Sequence, residues 1–308
     1  MLLRNCCPYH HLKRGILSAL SLLLLTAPVG KATSLDTAGK IKVVASIFPL
    51  ADLVRQIGGK WVDVETLLPS GASPHTFEPT PRQFREFSRA GIFVRVGAGL
   101  EMWAEKMLLA RRTPPILVTA TEEVTLLRET TGVGGEKHGD PHVWLDPVLV
   151  REQIIPQIAD RLIQLAPQHK SYFQERTKHY LSKLEELDRD FKQRTTRWSH
   201  RKFIVFHSSW RYFAQRYGLE EMVAILESPG KEPSARWIAR MVDLARKYQI
   251  TIVFTEPQFN PRPAQVVAQE LGGRVLVLDP LGGEGLPGRN NYLGLMRYNV
   301  ETLEEALR

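Results

Sequence analysis

Short β-branched and apolar runs alternate with longer amphipathic segments in two separate stretches of this 308-residue chain. The runs that predict strands are "IKVVASI", "VDVETLL", "IFVRVG" and "ILVTA" in the first stretch, and "KFIVF", "MVAIL", "ITIVF" and "RVLVL" in the second. Such alternation is typical of parallel sheets whose strands are joined by crossover helices. The sequence therefore predicts an α/β fold with two lobes, each built on a mainly parallel sheet flanked by helices.

A segment without strand-like runs, residues 147–198, separates the two stretches. In its second half, apolar residues at spacings of 7, 4, 3 and 4 fall on one face of a helix: Phe173, Tyr180, Leu184, Leu187 and Phe191. A helix over residues 167–198 would be roughly 48 Å long at about 1.5 Å per residue. We therefore expect one rigid helix over 167–198 to link an N-terminal lobe (33–166) to a C-terminal lobe (199–308).

Residues 1–32 have the layout of a cleaved secretory signal peptide. Basic residues precede the apolar run "GILSALSLLLLTAPVG", and small residues follow it. The run is shorter than the roughly 20 residues of a membrane-spanning helix, so we expect cleavage near Ala32 rather than an uncleaved anchor. Both cysteines, Cys6 and Cys7, precede the run, whereas a lipoprotein needs its cysteine directly after it. These features predict a soluble periplasmic protein without a lipid anchor, disulfide or thiol nucleophile.

The charge distribution does not favour a nucleic-acid partner. The net charge of +8 falls to +4 when the four basic residues of the predicted signal peptide are removed. The other basic residues alternate with acidic ones along predicted helices such as "YLSKLEELDRDFKQR", which is typical of solvated helix faces. We therefore predict no nucleic-acid binding.

Histidines and carboxylates follow several of the predicted strands. The residues at these positions are His75, His142, His207, Glu256 and Asp279. Ligands of open α/β sheets bind outside the carboxyl ends of the strands. Three imidazoles and one or two carboxylates at that edge could hold a metal ion, or they could be ordinary caps and turn formers.

Five motifs decide between these interpretations: "LLPSGASPHTFEPTP", "DPHVWLDP", "FHSSWRYFAQRYGL", "FTEPQFNP" and "VLVLDPLGG". In this order, and around a long central helix, they resemble the metal-binding solute receptors of ABC importers, the cluster A-I family of zinc and manganese carriers. The resemblance covers the whole chain after the predicted signal peptide. It implies two α/β lobes joined by a rigid helix, with a divalent ion between them. It also implies delivery of that ion to the membrane permease of an ABC importer, and we expect a monomer.

The resemblance also implies the metal ligands. The positions that match the family's ligands are His75, His142, His207 and Asp279. Glu256, Ser208 and Trp144 are expected beside the ligands as possible partners of them. Two departures from the family pattern are visible. Ser208 stands where many members carry Asp, and the segment 129–140 has only His138 where zinc carriers often have a histidine-rich loop.

The ligand set favours Zn²⁺ over Mn²⁺ as the cargo. Three neutral imidazoles and one carboxylate suit Zn²⁺, whereas Mn²⁺ prefers more oxygen donors. Manganese carriers of the family usually have Glu where this chain has His207. We therefore predict a zinc receptor, with a manganese or iron receptor of the same family as the alternative.

A zinc hydrolase with Glu256 as general base is the second alternative. The predicted closing of the shell by Asp279 and the lack of an HExxH motif argue against an enzyme.

Overall fold

The computed structural model describes residues 39–128, 139–227 and 230–308. The predicted signal peptide, both cysteines and His138 lie outside the described residues. Within the described part of the chain, no helix combines the length and the apolar character needed to cross a membrane.

Two parallel sheets of four strands form the framework, and all eight predicted strands are present. The first sheet has the order β2-β1-β3-β4 and is formed by β1 Ile41–Ala45, β2 Val62–Thr66, β3 Ile92–Arg95 and β4 Ile116–Thr119. The second has the order β6-β5-β7-β8 and is formed by β5 Lys202–Val205, β6 Glu220–Ala224, β7 Ile252–Thr255 and β8 Arg274–Val277. The strand order reverses between β1 and β3 and again between β5 and β7. At such points the loops at the carboxyl ends of neighbouring strands diverge and leave a crevice.

Helices connect the strands. They are α1 Phe48–Gly58, α2 Pro81–Phe87, α3 Met102–Leu109, α4 Pro147–Leu149, α5 Ile155–Leu165, α6 Lys170–Thr195, α7 Arg211–Arg216, α8 Ala235–Lys247, α9 Arg262–Glu270 and α10 Tyr292–Leu307. The sequence patterns do not predict α1, whose residues are nearly all buried. The helices expected near α2, α3, α8, α9 and α10 are confirmed.

The predicted long helix is confirmed, with different ends. Residues Pro167–His169 form a 3-10 turn, α6 then runs for 26 residues, and it stops at Thr195 rather than at residue 198. All five apolar residues expected on its inner face are at most 3% exposed. They belong to one hydrophobic core, which also includes Phe213 of α7 and Met296 of α10. The long helix therefore packs against elements that precede it and elements that follow it in the sequence. The lobe boundaries at residues 166 and 199 stay a prediction.

Candidate metal centre

Three histidines from distant parts of the sequence meet in one place. One ring nitrogen each of His75, His142 and His207 lies within 4.8 Å of the others. Their ring centroids are 4.8 Å (His75–His207), 4.9 Å (His142–His207) and 5.5 Å (His75–His142) apart. A tetrahedral zinc ion with Zn–N bonds of about 2.0–2.1 Å would place the centroids of its imidazole ligands roughly 5 Å apart. The spacing of the three rings therefore fits a common zinc ion.

Each histidine reaches this place from a different element. His207 follows β5 at the point where the order of the second sheet reverses, which is a natural site for a ligand group. His75 lies in the loop between β2 and α2, and His142 directly precedes the 3-10 turn Val143–Leu145. The cluster therefore joins two segments that precede the long helix to one that follows it.

His142 is oriented by Asp140, a partner that the sequence analysis missed. The Nδ1 atom of His142 lies 2.7 Å from Oδ1 of Asp140, which also accepts the backbone N–H of His142 at 3.0 Å. Burial opposes ionisation of Asp140, but the bonds from His142 and the charge of Arg211 outweigh it and lower the pKa of the carboxyl. An ionised Asp140 keeps the proton of His142 on Nδ1 and leaves Nε2 free to bind a metal ion.

His207 faces a buried carboxylate. Its Nδ1 atom lies 3.5 Å from Oε1 of Glu256, and the two side chains are 9% and 4% exposed. Burial disfavours the charged imidazole, but the carboxylates of Glu256, Glu221 and Asp140 outweigh it and raise the pKa of His207. Glu256 also lines the small cavity beside the three rings. Glu256 thus lies beside a candidate ligand, and its part in binding an ion stays a prediction.

His75 has no comparable partner. Within the described residues, its side chain makes no hydrogen bond, and its buried Nε2 atom and the buried Nδ1 atom of His207 have no hydrogen-bond partners. Burial, followed by the nearby His207 and His142, holds the pKa of His75 well below its usual range. A buried polar atom without a partner costs free energy. A shared metal ion would satisfy Nε2 of His75, whereas Nδ1 of His207 faces Glu256. The neutral imidazole is the form that coordinates.

The other two expected partners differ in their contacts. The hydroxyl of Ser208 donates to Glu221. The indole N–H of Trp144 donates to the backbone carbonyl of Pro280 at 2.8 Å, and its ring centroid lies 5.2 Å from that of His142. Trp144 therefore forms part of the wall of the site.

Asp279 is not among the residues whose ligand atoms converge within 4.8 Å of one another. Its Oδ1 atom accepts the backbone N–H groups of Leu281 and Gly282, at 3.0 and 2.9 Å. Its Oδ2 atom accepts a hydrogen bond from Arg289 at 2.9 Å, and the side chain is 1% exposed. The carboxylate is thus bonded within its own loop, and its role as a fourth ligand stays a prediction.

Comparisons with known proteins agree with the fold and with the chemistry of the cluster. A family model described as ZnuA, zinc-uptake complex component A, periplasmic, matches residues 43–306. High-affinity zinc uptake system protein ZnuA of Bacillus subtilis (strain 168) is 28% identical over 316 residues, covering 95% of this chain and 97% of that protein. Zinc-binding protein AdcA of Streptococcus pyogenes is also 28% identical, but the match spans 61% of its length.

Solved structures resemble the same part of the chain. A crystal structure of a ZnuA is 32% identical, with a TM-score of 0.79 over 87% of this chain and 100% of that one. The laminin-binding protein Lmb of Streptococcus agalactiae is 29% identical, with a TM-score of 0.78 and the same coverage. These likenesses confirm the predicted arrangement of two parallel sheets and one long helix.

Proposed function

The chain belongs to the ZnuA family of periplasmic zinc-uptake components, and we propose from that premise that it binds one Zn²⁺ ion and delivers it to the permease of an ABC importer. The observation that supports this most strongly is the triangle of His75, His142 and His207. Three ring nitrogens converge, and the buried Nε2 atom of His75 lacks a hydrogen bond within the described residues. A metal ion bound by all three rings accounts for both facts.

Zinc fits this donor set better than manganese or iron. Imidazole is a good ligand for Zn²⁺, which is satisfied by four donors, whereas Mn²⁺ prefers sites rich in oxygen. Within the described residues, Glu256 is the one carboxylate that lines the cavity beside the rings. A site dominated by three imidazoles therefore favours zinc as the cargo.

We propose Asp279 as the fourth donor. It stands at the carboxyl end of β8, directly before Pro280 and Leu281, which line the cavity. An ion bound there would share the carboxylate with Arg289 or compete with it. The substitution Asp279→Asn then weakens zinc binding about as much as loss of a histidine. Unchanged affinity would remove Asp279 from the ligand set and leave the fourth position to water or Glu256.

The family is one of receptors, and a receptor needs a closed shell of donors rather than an open position for a reacting water. We therefore propose that the chain is not an enzyme.

We also propose that it acts as a monomer, released into the periplasm by signal cleavage near Ala32 and without a lipid anchor. The B. subtilis and S. pyogenes proteins are named for zinc uptake and zinc binding, which supports the assignment of the cargo.

Elemental analysis of protein purified from the periplasm without added metal tests the proposed function. We expect about one zinc ion per chain and little manganese or iron. The substitutions His75→Ala, His142→Ala and His207→Ala should each weaken zinc binding by orders of magnitude, because donors from distant segments cannot rearrange to replace the lost one. Manganese as the dominant native ion would overturn the choice of cargo. Wild-type zinc affinity in any of the three variants would exclude that histidine from the site.

A further inference from the structure

The loop that carries His75 has a single hydrogen bond to the rest of the described chain. Within residues 69–79, the backbone bonds are short local ones, Ala72 to Pro69 and Thr76 to Ser73. The one bond that leaves the loop runs from the indole N–H of Trp103 to the carbonyl oxygen of Pro74, at 3.2 Å. This bond attaches to the residue directly before His75.

The same indole also packs against Phe77, which follows His75 in the loop. The rings of Trp103 and Phe77 meet edge to face, with centroids 5.0 Å apart and planes at 86°. Trp103 therefore contacts the loop at Pro74 and at Phe77, one residue before and two residues after the histidine.

Trp103 is itself held firmly. It lies on α3, is 8% exposed, and belongs to a small hydrophobic cluster with Phe87, Phe93 and Met107. A side chain packed in this way loses little further freedom when it holds the loop, so the contact costs little additional conformational entropy.

Within the described part of the chain, His75 lacks the carboxylate partner that each of the other two histidines has. His142 is oriented by Asp140, and the ring of His207 faces Glu256. The side chain of His75 has no hydrogen bond within the described residues, so its position follows from the backbone of its loop.

We infer that Trp103 is the positioning residue for His75 and sets how fast the site releases zinc. This inference rests on the proposed function. Zinc leaves when one ligand moves away, and His75 lies on the least anchored segment of the three. Because Trp103 holds that segment on both sides of the ligand, it resists the first step of release.

The test compares Trp103→Phe with Met107→Ala in the full mature chain. Trp103→Phe keeps an aromatic ring but removes the indole N–H. Met107→Ala removes a side chain that is 1% exposed in the same cluster and on the same helix, and it leaves the bond from Trp103 to Pro74 in place. Zinc release is followed by stopped flow with an excess of a chromophoric chelator, and association is followed separately.

We expect Trp103→Phe to release zinc about 10-fold faster, in line with the 10–100-fold effects of residues that orient metal ligands. Its association rate should change less than about twofold, whereas Met107→Ala should keep the wild-type release rate at a comparable loss of melting temperature. Equal release rates in both variants would overturn the inference. Failure of the wild-type protein to bind zinc at all would instead overturn the proposed function.

A second variant covers the case in which Trp103→Phe does not fold. Phe77→Leu leaves the indole N–H in place and removes the ring contact on the far side of His75. We expect faster zinc release and faster backbone hydrogen exchange in residues 69–79, with unchanged exchange around His142. Wild-type release together with wild-type exchange in this loop would contradict the inference.

Discussion

The three histidines of the cluster are positioned by three different kinds of contact. His142 donates from Nδ1 to Asp140, His207 faces Glu256, and His75 is placed through the backbone of its loop. Carboxylate partners fix the ring orientation and raise the basicity of an imidazole ligand. The contribution of each histidine to zinc affinity should therefore respond to a different neighbour.

Asp140→Asn should weaken zinc binding by about 10–100-fold, as is typical when the partner of a metal-binding histidine is lost. The neutral amide oxygen is a weaker acceptor for the Nδ1–H group than a carboxylate, and the amide can also donate. The tautomer that presents Nε2 to the ion is therefore less favoured. Asp63→Asn is the matched control, because Asp63 is half-exposed and pairs with Lys42 on the first sheet. Competition with a chelator of known affinity measures the zinc affinity of both variants. An affinity for Asp140→Asn equal to that of the control would contradict the role of Asp140.

Glu256→Gln should weaken zinc binding less than loss of any of the three histidines, if Glu256 acts on the ion through His207. The two side chains are 3.5 Å apart, and the amide retains the size of the carboxylate. Titration calorimetry compares this variant with His207→Ala. A loss in Glu256→Gln as large as in His207→Ala would show that Glu256 binds the ion directly.

Zinc affinity should fall as the pH falls, and the fall should begin above the usual imidazole pKa of about 6.5. The raised pKa of His207 means that the metal-free ring still holds its proton at pH values where a free imidazole has lost it. Zinc must displace that proton, so binding releases protons. His75, whose pKa is lowered, adds competition only at much lower pH. Calorimetry in buffers of different ionisation enthalpy counts the protons, and a flat affinity between about pH 7.5 and pH 5 would contradict a three-histidine site.

The sequence predicts part of the site but not the contacts that orient it. A histidine directly after a buried strand, as at His207, has a position fixed by the strand, so its location is predictable. Asp140 stands two residues before His142, yet only the turn between them brings the carboxylate to Nδ1. Trp103 lies 29 residues after Pro74, and Arg289 lies 10 residues after Asp279, so neither contact leaves a local signal.

At the scale of elements, the long helix α6 links the two sheets through the core that it shares with elements before and after it. Its buried face follows the predicted spacing, which is why the helix could be identified from the sequence. The segment before it was less predictable, because a π-helical turn at Val150–Ile154 separates α4 from α5. Pro156 explains this irregular turn, because proline has no amide hydrogen and its ring clashes with the carbonyl four residues earlier in a regular helix. The helix α1 was missed because its buried residues continue the apolar run of β1.

Leu184→Ala should lower the free energy of unfolding by about 2–5 kcal/mol, the usual cost of truncating a buried leucine. Leu184 is fully buried at the middle of α6, in the core shared by elements on both sides of the helix. Glu186→Ala, on the exposed face, should change stability by no more than about 0.5 kcal/mol. Urea denaturation measures both. A small effect of Leu184→Ala would mean that α6 does not share the core.

At the scale of the whole molecule, buried polar contacts cross between parts that lie before and after α6. The backbone N–H of Tyr292 donates to Asp52 at 2.8 Å, and Arg216 pairs with Asp146 at 2.8 Å. Together with the shared core, these contacts oppose rotation of one sheet against the other. Zinc exchange should therefore involve movement of the ligand loops, with little change in the relation between the sheets.

Small-angle scattering with and without zinc should give nearly the same radius of gyration, because the core around α6 is shared. Zinc should nevertheless raise the melting temperature, since a ligand bound only by the folded state adds about 4 kcal/mol of stability at a thousandfold excess over Kd. His75→Ala is the control, and it should show little of this rise. A clear contraction on zinc binding would show that α6 bends or that the sheets move.

X-ray absorption at the zinc edge counts the ligands of the bound ion. We expect three imidazole nitrogens at about 2.0–2.1 Å and one oxygen donor in a four-coordinate site. His207→Ala should lose one imidazole from the spectrum, while Met107→Ala should leave the spectrum unchanged. A wild-type spectrum with fewer than three imidazoles, or with a shell of oxygen donors alone, would contradict the claim that His75, His142 and His207 hold the zinc ion together.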